Sequence, residues 1–150
     1  MDKDYMKLAL EQALMGGQIG EVPIGVVIVK DNKIISSAHN EKELMNCATR
    51  HAEIVAIERA SATLGDWRLI GCTMYSTLEP CAMCTGAIIN SRLDKLIFGA
   101  YDPKAGCVSS LYRLLEDNRF NHMPIVEGGI MQEECGSVLS EFFKNKRLGN

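Results

Sequence analysis

Two short segments of the chain contain residue types that can bind a metal ion and use it for chemistry. The first is His51-Ala52-Glu53, and the second, further along the chain, is Pro80-Cys81-Ala82-Met83-Cys84. One imidazole and two thiolates form a borderline-to-soft ligand set that suits Zn²⁺. Cysteines three positions apart lie on the same side of a helical turn, so a helix that starts at Pro80 would direct both sulfurs to one ion.

The spacing of His51 and Glu53 predicts where the metal lies. Residues two positions apart do not share a side of a helix, so both can face one point only when that point lies near the helix end. We therefore expect the ion at the N-terminus of a helix that begins at His51, facing the N-terminus of the Cys81 helix. The positive ends of two helix dipoles would favour thiolate over thiol at this point.

Three protein ligands leave one position of a tetrahedral zinc open. An open position is typical of catalytic zinc sites, where it normally holds water. With His51, Cys81 and Cys84 as ligands, the two thiolates cancel the formal charge of the ion and make it a weaker Lewis acid. A base beside the water then becomes more useful, and Glu53 is placed to be that base.

Structural alternatives are open at this point. A Cys-x-x-Cys pair can be two buried thiols at a helix start or half of a structural zinc site. A structural site would need a fourth protein ligand, for which the candidates are Cys47, Cys72, His39 and His122. A zinc-stabilised binding module without catalysis is another alternative. Glu53 argues against it, because a purely structural site does not need a carboxylate there.

The composition is that of an ordinary globular protein. The chain has 150 residues, of which 47% are hydrophobic and 23% charged, and its formal net charge is −3. These values exclude disorder, collagen and coiled coil for the whole chain, and a mildly acidic chain does not coat nucleic acid non-specifically. We expect one zinc-dependent domain over residues 1–150, with no signal peptide or membrane span, in the reducing cytoplasm.

The pattern of hydrophobic residues predicts an α/β protein, because helical and strand periods alternate along the chain. Helices are expected at residues 4–15, 51–64, 80–89, 111–115 and 131–146, and strands at 24–29, 34–35, 73–78, 96–98 and 125–126. The last helix is expected to face the core with Val138, Leu139, Phe142 and Phe143. Strands separated by helices indicate a sheet that is covered on both faces.

The metal-binding segments resemble the H-x-E and P-C-x-x-C signature of zinc-dependent base deaminases. The resemblance covers nearly the whole chain and is specific to the bacterial tRNA-specific adenosine deaminases of the cytidine deaminase-like superfamily. It is carried by residues 21–25, 77–84, 98–100, 102 and 127–130, with Cys135, Phe142 and Phe143 after them. The chain departs from many bacterial members at Cys47-Ala48-Thr49-Arg50, where they have Asp-Pro-Thr-Ala.

The resemblance implies a fold, an activity and a cofactor. The fold would be a three-layer α/β/α arrangement, with a central five-stranded mixed sheet flanked by helices. A homodimer would hydrolytically deaminate the wobble adenosine, position 34 of a tRNA anticodon loop, to inosine. One Zn²⁺ per chain, held by His51, Cys81 and Cys84, would carry the hydroxide that attacks the base, and Glu53 would be the proton shuttle.

The same resemblance assigns further residues to substrate binding. Asn40 matches a residue that hydrogen-bonds the target base, and Ala52 would offer the base a backbone amide. Val22 and Leu78 resemble pocket walls, and Asp102 matches a residue near the sugar of the flipped nucleotide. Three residues near the C-terminus would contact RNA: Phe143, Lys144 and Arg147. The implied partner is the anticodon stem-loop of a tRNA, with arginine tRNA as the family's substrate.

The motif alone does not separate this activity from deamination of a free base or nucleoside on the same scaffold. Guanine deaminase and cytosine or cytidine deaminase are the alternatives that we keep. Three features favour tRNA, namely residues 21–25, residues 98–100 with Asp102, and the Phe142-Phe143 pair.

Overall fold

The computed structural model describes residues 1–149 of the chain. Over this range the elements in chain order are α1 (Asp2–Gln18), β1 (Gly25–Lys30), β2 (Lys33–His39), α2 (Ala52–Leu64), β3 (Cys72–Leu78), α3 (Ala82–Asn90), β4 (Lys95–Ala100), a 3₁₀ turn (Leu114–Glu116), β5 (Ile125–Gly128) and α4 (Gln132–Gly149). Asn150 lies outside the described residues. None of the helices in this range is both long and apolar enough to cross a membrane.

The strands form one mixed sheet in the order β2-β1-β3-β4-β5. β1 runs antiparallel to both β2 and β3, whereas β3, β4 and β5 are parallel to one another. Alternate strand residues point to opposite faces, where one set packs with α2 and α3 and the other with α1 and α4. The first set includes Val26, Met74 and Leu96, and the second includes Val27, Tyr75 and Ile97. The three-layer α/β/α fold with a five-stranded mixed sheet is therefore confirmed.

The pairing of β3 with β4 brings two loops together at one edge of the sheet. Leu78 and Ala100, the last residues of these strands, lie opposite each other. The Glu79 N–H donates to the Ala100 carbonyl oxygen at 2.8 Å and continues the contact beyond β3. Segments that follow parallel strands leave the sheet at the same edge, which is where open α/β sheets bind ligands. Cys81 and Cys84, the two cysteines predicted to bind the metal, follow β3 at this edge.

The β1–β2 hairpin and its packing on α1 depend on backbone features that few residue types allow. Asp31 and Asn32 form the turn with φ angles of 51° and 60°. Such a turn matches the twist of the two strands, and Asp and Asn tolerate it better than most residues. α1 crosses β1 so closely that a Cβ at Gly25 would overlap the carbonyl oxygen of Ala9. The hairpin is thereby fixed against α1, with Asn40 directly after it.

The helix expected at residues 111–115 does not form. This segment contains only the 3₁₀ turn, and Leu111 and Tyr112 before it are 52% and 67% exposed. A short helix needs a buried apolar face to be stable, and these side chains have no core to face.

The expectation that α4 faces the core with four apolar residues is also wrong. Cys135 is the buried residue of this helix, at 1% exposure, and it packs over Gly99 of β4. Val138, Leu139 and Phe142 are only half-buried, and Phe143 is 43% exposed. The first turns of α4 cover the sheet, whereas its second half extends beyond the sheet and presents its apolar side to a surface cavity.

Candidate metal centre and active site

Three predicted metal ligands lie together where two helices begin. His51 is the N-cap of α2, Cys81 is the N-cap of α3, and Cys84 lies in the first turn of α3. The Nδ1 atom of His51 is 3.7 Å from the Sγ of Cys81 and 3.5 Å from the Sγ of Cys84. The predicted convergence of two helix N-termini is confirmed, although α3 starts after Cys81 and Pro80 precedes its cap.

The geometry of this cluster fits one zinc ion. Tetrahedral zinc with bonds of about 2.3 Å to sulfur and about 2.0 Å to nitrogen spaces neighbouring ligand atoms roughly 3.5–3.8 Å apart. The two measured separations fall in this interval, and the three ligand atoms all lie within 4.8 Å of one another. Their two thiolates and one imidazole are also the donor set that zinc prefers.

A fourth protein ligand does not join the cluster within residues 1–149. Both histidines considered for this role donate or accept elsewhere: His122 Nε2 lies 2.6 Å from the Leu93 carbonyl oxygen, and His39 Nδ1 lies 2.8 Å from that of Asn40. Cys72 begins β3 at the opposite end of that strand. The structural four-ligand alternative therefore lacks its fourth ligand, and an open position is typical of a catalytic site.

The pKa values of the two thiols of the cluster are shifted in opposite directions. Hydrogen bonding from Cys84 lowers the pKa of Cys81 to about 3, and the same interaction raises the pKa of Cys84. The position of both residues in the first turn of α3 adds the field of a helix N-terminus, which also favours thiolate. A metal ion bound here would displace the remaining thiol proton, since it binds the deprotonated sulfurs.

Glu53 lies beside the cluster with one free oxygen. It is the second residue of α2, it is 4% exposed, and its Oε1 atom has no hydrogen-bond partner among the described residues. Burial raises the pKa of its carboxyl to about 7. A buried polar atom without a partner is unfavourable unless a ligand supplies one. The free oxygen is therefore a second observation that fits a metal and its water at this point.

Asn40 is the residue that connects the hairpin to α2. It is 6% exposed, and its Oδ1 atom accepts the Ala52 N–H at 2.8 Å. The Ala52 N–H, which the resemblance assigns to the base, thus has Asn40 as its partner in this structure, and its contact with a base stays a prediction. This hydrogen bond also orients the Asn40 amide, so that its nitrogen is the group left to bind a substrate acceptor.

A surface cavity of about 590 Å³ lies at the edge of the sheet where β3 and β4 end. Four residues that the sequence assigns to substrate or RNA line it together, namely Val22, Leu78, Asp102 and Phe143. Tyr101 and Lys104 line the same cavity and were missed by sequence reasoning, although their position beside Asp102 is a signal that could have found them. Lys144 and Arg147 are exposed on α4 and do not line the cavity.

The loop between Asn40 and His51 is held by charged side chains that sequence reasoning did not single out. The buried carboxylate of Glu21 accepts the N–H of Glu43 at 3.1 Å and of Leu44 at 2.6 Å. Arg50 binds Glu41 at 2.9 Å and Glu58 of α2 at 2.7 Å. The segment that departs from most bacterial members thus ends in an arginine that ties the loop to α2.

The family model of the MafB19-like deaminases matches residues 1–147 of this chain. A similar relative is the tRNA-specific adenosine deaminase of Bacillus subtilis (strain 168), which is 49% identical over 146 residues. The matched segment covers 97% of this chain and 91% of that protein.

Two solved structures differ in how much of the chain they resemble. A tRNA:A34 deaminase that edits A to I at the wobble position matches 91% of this chain and 99% of its own, with a TM-score of 0.88 and 41% identity. The guanine deaminase of Bacillus subtilis matches 65% of this chain and 63% of its own, with a TM-score of 0.63 and 38% identity. The tRNA-acting relative therefore resembles a larger share of this chain than this guanine deaminase does.

Proposed function

The chain belongs to the MafB19-like deaminase family, and on that premise we propose that it hydrolyses the wobble adenosine of a tRNA anticodon loop, position 34, to inosine. The observation that carries the chemistry is the open three-ligand cluster with the free Glu53 oxygen beside it. The choice of tRNA is supported by similarity to tRNA-specific adenosine deaminases along nearly the full chain.

The cofactor of this reaction would be one zinc ion per chain, held by His51 Nδ1, Cys81 Sγ and Cys84 Sγ. When bound, zinc supplies Lewis-acid activation of a water molecule at its fourth position. The backbone holds the ligands in place, because His51 and Cys81 occupy the N-cap positions of α2 and α3. Neither side chain forms a capping hydrogen bond to its helix, so both are available to the metal.

Glu53 performs the proton transfers in the proposed mechanism. Its Oε1 atom accepts a proton from the water that attacks C6 of adenine, and the carboxyl delivers this proton to N1. Glu53 then accepts the remaining hydroxyl proton and gives it to the departing amino group. One water is consumed and one ammonia is released, and a single carboxyl serves both sides of the tetrahedral intermediate at C6.

The remaining predicted residues would bind the nucleotide and its neighbours. The Asn40 amide nitrogen would donate to an acceptor on the base, and the apolar side chains of Val22 and Leu78 would enclose it. Asp102 would lie near the sugar, and Phe143 would offer its exposed ring for base stacking. Lys144 and Arg147 would bind phosphates of the RNA. They would form a local basic surface on a chain whose net charge is −3.

The family also suggests the context in which the enzyme works. We propose that arginine tRNA supplies the anticodon loop, that the reaction takes place in the cytoplasm, and that residues 1–150 act as one zinc-dependent deaminase domain. An anticodon loop is already single-stranded, so extruding its wobble base costs little.

An RNA stem-loop separates this activity from free-base deamination. The zinc-loaded protein should release ammonia from an anticodon stem-loop with adenosine at position 34, and inosine should appear in the RNA. Guanine, cytosine and cytidine should react at least about a hundredfold more slowly at equal concentration, since none of them carries the flanking RNA chain that positions the base. A stem-loop with guanosine at position 34 is the matched control. Ammonia from guanine but none from the RNA would favour the guanine deaminase alternative.

We propose in addition that the enzyme is a homodimer, because apolar side chains beside the site are exposed in a single chain. Leu44 and Met45 are 63% and 56% exposed on the loop before His51. Leu111 and Tyr112 are 52% and 67% exposed just after the loop that follows β4. These two pairs of adjacent exposed apolar side chains are the surface that we propose as the dimer interface.

The substitution Tyr112→Asp should weaken the dimer, because it places a charge in the apolar interface. Light scattering during size-exclusion chromatography should give twice the chain mass for the wild type and a concentration-dependent, lower mass for the variant. Ile70→Asp is the control, since Ile70 is similarly exposed, at 59%, but lies at the opposite end of β3. A wild type that has the mass of one chain at tens of micromolar would contradict the dimer.

A further inference from the structure

Glu79 is a buried acid that the proposed reaction does not use. It lies between the end of β3 and the N-cap of α3, and it is 1% exposed. Among residues 1–149 it forms no ion pair. A buried carboxylate without a cation is unfavourable unless hydrogen bonds replace the water it has lost.

The loop that follows β4 supplies these hydrogen bonds. The Oε1 atom of Glu79 accepts the Asp102 N–H at 3.0 Å and the Ser110 hydroxyl at 2.5 Å. Its Oε2 atom accepts the N–H groups of Val108, Ser109 and Ser110 at 3.1, 2.8 and 2.9 Å. Burial raises the pKa of Glu79, but these hydrogen bonds outweigh burial and hold the pKa below its ordinary value. Five donors saturate a carboxylate, which has about four lone-pair positions.

The loop also encloses the carboxylate closely. A Cβ at Gly106 would overlap the carboxylate of Glu79, so the backbone passes directly against it. The Cys107 N–H donates to the Pro80 carbonyl oxygen at 3.0 Å, one residue before Cys81. Residues 102–110 are thus bonded both to the side chain of Glu79 and to the main chain that leads into the metal-binding turn.

We propose that Glu79 is a positioning residue, which sets the place of the 102–110 loop relative to the Cys81–Cys84 turn and so aligns the bound nucleotide with the reacting groups. This inference rests on the proposed function, in which Asp102 lies near the sugar and the two cysteines hold the metal. Five hydrogen bonds end on one side chain, so its replacement releases the whole loop rather than one contact. Since Asp102 would contact the sugar rather than the reacting atoms, a released loop should weaken binding of the nucleotide more than it slows the chemical step.

The substitution Glu79→Gln tests this role, because it keeps the size of the side chain but turns one acceptor into a donor that faces N–H groups. Hydrogen exchange should become at least about tenfold faster at the amides of residues 102 and 108–110. KM for the anticodon stem-loop should rise about tenfold, with a smaller fall in kcat, and the zinc content should stay near one ion per chain. Glu116→Gln, on the exposed 3₁₀ turn, is the control and should leave the exchange rates, KM, kcat and the zinc content unchanged.

A milder variant keeps the inference testable if Glu79→Gln fails to fold. Ser110→Ala removes one of the five donors, and it should accelerate exchange at residues 108–110 and raise KM in the same direction by a smaller factor. Unchanged exchange in the loop, or loss of zinc without faster exchange, would overturn the positioning role. A wild type that does not deaminate the RNA would refute the proposed function, while the exchange rates and the zinc content would still report on the loop.

Discussion

Replacing Glu53 with alanine should reduce deamination by at least about a thousandfold and leave the zinc content near one ion per chain. Positioned acid–base groups contribute about 10²–10⁴-fold to a rate, and in the proposed mechanism this carboxyl serves every proton transfer. The metal should remain because the cluster of ligand atoms consists of His51, Cys81 and Cys84. Inosine formation in the stem-loop and the zinc content measured by mass spectrometry check the two parts of this result.

The Glu53→Ala variant should also be at least as stable as the wild type. The wild-type carboxyl is buried and one of its oxygens has no partner, so its removal ends an unfavourable burial. Thermal unfolding of both proteins after the metal has been removed with a chelator measures this difference. Glu58→Ala is the matched control, because Glu58 lies on the exposed side of the same helix and makes a surface ion pair with Arg50. Loss of zinc in Glu53→Ala would mean that this glutamate is a ligand rather than the proton shuttle.

The second large effect is expected for Cys84→Ser, which should lose the metal, the activity and part of the stability. A serine hydroxyl stays protonated at neutral pH and is a far weaker zinc ligand than a thiolate. The wild type gains folding free energy from the metal, roughly 4 kcal/mol when free zinc is about a thousand times the dissociation constant. The variant should lose this contribution, and its unfolding temperature should no longer respond to added zinc or to a chelator.

Cys72→Ser is the matched control for this experiment. Cys72 and Cys84 are both completely buried, so each substitution places a hydroxyl in an apolar environment. Cys72 lies at the far end of β3, and its variant should keep the full zinc content and its response to the chelator. A Cys84→Ser protein that still binds one zinc per chain would contradict the ligand role of Cys84.

The sequence predicted the metal cluster because local helix geometry decides most of it. Cys81 and Cys84 are three residues apart, and any helix that begins there brings the two sulfurs together. The spacing of His51 and Glu53 could be interpreted for the same reason, since side chains two positions apart in sequence can face one point only at a helix end. The fold class was also predictable, because strand and helix periods are properties of short segments.

Other parts of the site depend on contacts between distant segments, and the sequence misplaced or missed them. The Ala52 N–H donates to Asn40, because the end of the β1–β2 hairpin packs against the start of α2. Helical periodicity placed Phe143 toward the core, whereas it lines the surface cavity, as its assignment to RNA by resemblance had implied, because α4 extends beyond the sheet. A periodic pattern of hydrophobic residues predicts neither the Ala52–Asn40 hydrogen bond nor the cavity position of Phe143.

Glu79 shows most clearly which features the sequence predicts and which depend on the tertiary structure. Its position before Pro80-Cys81 makes it part of a recognisable motif, and the sequence by itself determined that a metal-binding turn follows it. Only the tertiary structure decided that five donors from residues 102–110 end on its carboxylate. The physical reason is that ligand spacing within one helical turn is encoded locally, whereas the partners of a buried charge are chosen by the parallel pairing of β3 and β4 and by the loop that this pairing brings alongside.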